Sequence, residues 1–169
     1  MKTKDLTLAA MMTAFLIVCS LLPAIPISGL APITLQTVAV LIIGFVLKPY
    51  VALLSTTLYA VMGFAGLPVF SGGKGGFGPG SGFILSFIVA AFATSVFLKR
   101  TSRQLWHYIV AAILATFIIY AIGSPFYAVM ANLPIVETTL SMVATYIIGD
   151  SLKAILAIAV AMRIPHNKA

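Results

Sequence analysis

The sequence predicts an all-α integral membrane protein. It has six transmembrane helices, both termini on the cytoplasmic side, and long Gly/Pro-rich external loops between helices 1 and 2 and between helices 3 and 4. Three observations predict this. The 169 residues are 62% hydrophobic and 8% charged, against about 25% charged in a soluble domain, and mean hydropathy is +1.16. The apolar residues fall into six separate runs. The basic residues gather at the same ends of those runs. A single domain over 1–169 follows.

Helix 1 is predicted over 6–22. Lys2 and Lys4 before it imitate a signal peptide, but five more apolar runs follow, so the run is expected to stay as a membrane helix. Helix 2 is predicted over 33–47 and helix 3 over 50–66, separated by Lys48-Pro49. Proline disfavours helical geometry in the residue before it, which makes a tight turn there. Helix 4 is predicted over 82–98 and helix 5 over 105–122. Trp106 and Tyr108 suit an aromatic belt at the membrane interface, with His107 as another interface residue. Helix 6 is predicted over 140–162, followed by a polar tail with His166.

An even number of spans puts both termini on one side, with the 2–3 and 4–5 loops. That side collects Lys2, Lys4, Lys48, Lys99, Arg100, Arg103, Arg163 and Lys168. The bias predicts that this side is cytoplasmic in a multi-pass membrane protein. The net charge of +7 sits in short loops and does not indicate a nucleic-acid partner. Cys19 is a lone cysteine, so no internal disulfide is possible.

The external loops are nearly uncharged. The 1–2 loop runs from Pro23 to Pro32, and the 3–4 loop from Gly66 to Gly82. The second interleaves Phe70 and Phe77 with Gly72, Gly73 and further glycines around Lys74. It reads either as a surface linker or as a lid whose glycines let backbone approach a ligand.

The most informative residues are Asp150 and Lys153, two opposite charges inside the last apolar span. A charge near the bilayer centre costs roughly 2.5–3.5 kcal/mol on insertion scales. At i, i+3 the two share a helix face, and Tyr146 and Ala157 continue the stripe. The pair is either a structural ion pair or a ligand clamp. As a clamp, the carboxylate accepts from ligand N–H groups, and the ammonium neutralises a ligand carboxylate. Tyr146 adds an aromatic wall and a hydroxyl. Thr34 and Gln36 sit near the outer mouth of helix 2, available for helix–helix hydrogen bonds or for a ligand. On helix 1, Ala10 and Ala14 form a small-x-x-x-small pattern that lets membrane helices approach closely.

Together these pieces resemble the BioY family, the biotin-binding substrate components of energy-coupling-factor vitamin importers. The resemblance spans nearly the whole chain. It rests on Pro32-Ile33-Thr34-Leu35-Gln36-Thr37, on Gly66-Leu67-Pro68-Val69-Phe70-Ser71-Gly72-Gly73, on Gly78-Pro79, and on Gly149-Asp150-Ser151-Leu152-Lys153. It implies six helices holding biotin in an outward-facing pocket closed by the 1–2 and 3–4 loops. It also implies that Ala10 and Ala14 dock onto a transmembrane coupling protein driven by two ATPases. Some relatives place a basic residue just after the aromatic of helix 4, where this chain has Ile84. That leaves Lys74 and Lys153 as candidates for the ligand carboxylate.

The stripe itself asks for an N–H head and a carboxylate tail, as in biotin's ureido ring and valerate. Alternatives are a component for another vitamin and a structural subunit without ligand. The chain carries no nucleotide-binding motif, no cofactor is expected, and two histidines with three acidic residues offer no metal or nucleophile–base set.

Overall fold

The computed structural model describes residues 3–164. Lys2, His166 and Lys168 lie outside the described residues. Six helices follow in order: α1 (Thr3–Leu21), α2 (Gln36–Val46), α3 (Pro49–Phe64), α4 (Ser81–Lys99), α5 (Leu105–Met130) and α6 (Ile135–Arg163). By length and composition, α1, α4, α5 and α6 can each cross a membrane, while α2 and α3 are shorter apolar helices.

α2 is the central element. All of it except Thr37 and Val46 is buried, so it reads as a continuous apolar run with no polar face. Small residues let its neighbours close in. A Cβ on Gly44 would fall 3.1 Å from the Ala91 carbonyl oxygen of α4. Ala90 and Ala91 of α4 and Ala111, Ala112 and Ala115 of α5 have almost no exposure. Close backbone approach of this kind drives helix association in lipid.

The two ends of the bundle differ. At the basic end, the Tyr50 hydroxyl donates to Asp5 at 2.6 Å, and Arg103 reaches the Phe45 carbonyl at 3.4 Å. Ser95 caps the Leu47 carbonyl beside Lys48. At the other end, the Ser20 hydroxyl donates to the Val69 carbonyl of the 3–4 loop, and the Tyr146 hydroxyl donates to the Ala31 carbonyl of the 1–2 loop.

Four helix limits differ from the sequence-based expectation by three residues or more, the first being α1, which begins at Thr3 rather than 6. α2 begins at Gln36, not 33, because the 1–2 loop folds back on itself. Ile25 and Ile33 exchange two backbone hydrogen bonds of 2.9 Å, and Gly29 takes the turn at φ 74°. α5 runs on to Met130 through Pro125. Proline removes one ladder bond, but in an apolar surround continuing the helix satisfies the remaining backbone groups. α6 starts at Ile135, directly after Pro134. Glu137 in its first turn, which the hydropathy reading left outside, is favourable at the positive end of the helix dipole.

Candidate functional site

A cavity of about 560 Å³ opens between α2, α4, α5, α6 and the two long loops. Its wall is mostly apolar, with a few convergent polar groups, as in sites for small organic ligands.

Its floor is set by the α6 stripe. Tyr146, Asp150 and Lys153 all face the cavity. Lys153 Nζ lies 2.9 Å from Asp150 Oδ1, and the two side chains are only 12% and 11% exposed. Tyr120 of α5 donates its hydroxyl to Asp150 Oδ2. Both carboxylate oxygens therefore hold a donor from the protein. Each keeps a further lone-pair direction for a ligand N–H.

The mouth is set by the start of α2. The Thr34 hydroxyl donates to Gln36 Oε1 at 2.9 Å, and Gln36 Nε2 donates to the Tyr59 hydroxyl at 2.5 Å. Thr34 and Gln36 line the cavity, whereas Tyr59 lies behind them with no exposure. The amide is clamped at both ends, which fixes which way its oxygen and nitrogen point.

Both long loops contribute to the cavity wall. The 1–2 loop packs Ile27, Leu30, Ala31 and Ile33 against Tyr120, Met142 and Tyr146 in a second small core. The 3–4 loop turns back at Phe70 and Lys74, whose backbones pair at 2.9 and 3.3 Å. Gly72 and Gly73 make that turn with φ 72° and 68°, in the left-handed region that glycine enters without strain. The Phe70 ring sits edge-on to Tyr59 and Phe64, each 5.4 Å away. It occupies the place where a Cβ on Gly63 would lie 2.1 Å from it.

The structure thus brings Thr34, Gln36, Phe70, Lys74, Tyr146, Asp150 and Lys153 onto one wall. Gly72 and Gly73 do not line it. They shape the turn that sets Phe70 and Lys74, and the glycines at the cavity itself are Gly75, Gly76, Gly78 and Gly80. Among the described residues Lys74 makes no ion pair, while Lys153 is engaged with Asp150. Ile84 contributes a neutral, buried wall. Ala10 and Ala14 lie away from the cavity on the exposed side of α1. Among the described residues no cluster of three His, Cys, Asp or Glu could hold a metal ion.

Sequence reasoning missed Tyr120, Tyr127, Phe83 and Phe87, all on the wall. A signal was available on α5. Tyr120, Gly123 and Tyr127 recur at i, i+3, i+7, one helical face. A Cβ on Gly123 would lie 2.3 Å from the Phe83 ring.

Comparison with known proteins gives the following. A sequence profile described as the BioY family matches residues 1–168. A protein named biotin transporter BioY, from Lactococcus lactis subsp. cremoris, is 31% identical, over 96% of this chain and 91% of its own. A probable biotin transporter BioY from Pyrococcus horikoshii is 31% identical over 99% of both chains. A crystal structure of the S-component for biotin from an ECF-type ABC transporter has a TM-score of 0.87 at 30% identity. It covers 96% of this chain and 93% of that one. FolT bound with folic acid shares the fold, with a TM-score of 0.73 at 23% identity, over 96% and 94% of the chains.

Proposed function

The chain belongs to the BioY family, and from that premise we propose that it is the biotin-binding component of an ATP-driven energy-coupling-factor importer. It is an integral membrane protein, with α1, α4, α5 and α6 as its long apolar helices. The single observation that carries the reading is the largely apolar cavity whose lining includes both the Asp150–Lys153 pair and Lys74.

In this reading the whole chain is one substrate-binding domain of six spans. α2 and α3 complete their crossings with the loop segments beside them. The basic end faces the cytoplasm of a prokaryotic cell, and the cavity opens outward. Asp150 accepts from the ureido N–H groups of biotin. Tyr146, Phe70 and the apolar wall enclose the thiophane ring. Thr34 and Gln36 meet the ligand near the mouth, and Gly72 and Gly73 hold the turn of the cover. No cofactor is needed. A transmembrane coupling protein and two ATPase subunits supply the drive, docking on Ala10 and Ala14.

The direct test is mass spectrometry of the protein purified from cells grown with biotin. Stoichiometric biotin is the expected result. Ligand-free protein that also fails to bind added biotin contradicts the reading.

Because Lys153 is tied to Asp150, Lys74 is the cation free to meet the carboxylate tail. Lys74→Gln should weaken binding of biotin about tenfold and leave a biotin amide, which lacks the carboxylate, nearly unaffected, since a charge-assisted hydrogen bond is worth roughly 1.5–3 kcal/mol. Equal losses for both ligands assign Lys74 to loop conformation.

A further inference from the structure

We propose that Lys153 determines specificity: by neutralising Asp150 in place, it makes the site accept a neutral N–H head and turn away a cationic one. The proposal rests on the biotin reading above and concerns how the same site selects.

An unpaired buried carboxylate attracts any cation. Asp150 is not unpaired. Its Oδ1 lies 2.9 Å from the Lys153 ammonium, its Oδ2 holds the Tyr120 hydroxyl, and both charged side chains are largely but not fully buried. The pair is neutral before a ligand arrives. Its oxygens still have lone pairs to spare. A urea N–H uses one and brings no charge. A guanidinium of the same shape uses the same lone pair but adds a positive charge beside Lys153. Like charges a few ångströms apart repel more strongly once a bound ligand has displaced water from between them than in open water. Lys74, also on the wall, adds to the same sign. Shape cannot supply this selection, because exchanging a urea oxygen for an imino nitrogen hardly alters the head. Specificity then comes from a repulsive element directed at the wrong ligand.

The probe is 2-iminobiotin, which has biotin's body and tail and a cyclic guanidine head. Affinities for it and for biotin are measured with the purified full chain in nanodiscs. Wild type should prefer biotin by about tenfold or more while the guanidine is protonated. A neutral analogue of the same shape, biotin with a thiourea head, should bind wild type within a few-fold of biotin. All three ligands are measured at one neutral pH, so the charged and titratable wall groups Lys74, Tyr120, Tyr127, Tyr146, Asp150 and Lys153 are the same for each. Lys153→Met should collapse or invert the preference, because Asp150 is then left to pair with the guanidinium. Asp150→Asn should widen it, because Lys153 is then uncompensated.

An unchanged preference in Lys153→Met, or a wild-type protein indifferent to the guanidine's charge, overturns the proposal. Should Lys153→Met not fold, Lys153→Gln, which keeps a donor toward Asp150 without the charge, decides in its place. If wild type binds no biotin, the reading beneath fails instead, so the two failures are distinguishable.

Discussion

Asp150→Asn should weaken biotin binding about tenfold or more, because a hydrogen bond to a charged group contributes roughly 1.5–3 kcal/mol. The substitution keeps the shape of the side chain and removes its charge. It also turns one acceptor into a donor. Asp150 now accepts from Tyr120 on one oxygen and from Lys153 on the other. An amide must set its NH2 against one of those two donors. Lys153→Met should also lose affinity, since it strands a buried carboxylate, and losing one partner of a buried pair is strongly unfavourable. Calorimetric titration on detergent-purified protein checks both, with retained gel-filtration behaviour as the control for folding. Unchanged affinity in both variants would mean that the pair only holds α6 in place.

Ala14→Trp should leave biotin binding by the isolated protein intact and reduce ATP-driven uptake to background. Ala10 and Ala14 are exposed on the outer side of α1, while Ala9, Thr13 and Leu16 face the core. A large ring at Ala14 therefore disturbs no internal packing. It stands between α1 and any helix that would approach closely over a small-residue surface. Uptake of labelled biotin by cells carrying the complete transporter measures the effect. Co-purification of the coupling protein at normal yield with the variant would contradict the docking assignment.

How much of this was legible in the sequence depends on the range of the interaction. Six apolar runs give six helices because burial and hydropathy act locally. The limits of α2, α5 and α6 were misplaced where tertiary structure intervenes. The Ile25–Ile33 pairing takes Ile33 out of the helix, and the apolar surround carries α5 past Pro125. Asp150 and Lys153 could be paired from spacing alone, since i, i+3 places them on one face. Tyr120 could not, because its partner lies 30 residues on, in another helix. The seat of Phe70 over Gly63, and with it the turn made by Gly72 and Gly73, depends on how α3 meets the cover. No local pattern encodes that.

The shortness of α2 has an electrical meaning. Its 11 residues rise only about 16 Å at 1.5 Å per residue, well under a hydrocarbon thickness of about 30 Å. In the six-span reading proposed above, the rest of that crossing is non-helical backbone, which is tolerated at membrane depth only where it is buried in protein or lines a cavity. A cavity so provided with polar groups holds water when it holds nothing else. In the outward-facing orientation proposed above, that water extends the outer aqueous phase toward Asp150, and the insulating layer shrinks to the part of the bundle below the ion pair. The transmembrane voltage then falls mainly across that remaining slab, which focuses the field at the depth of the two charges.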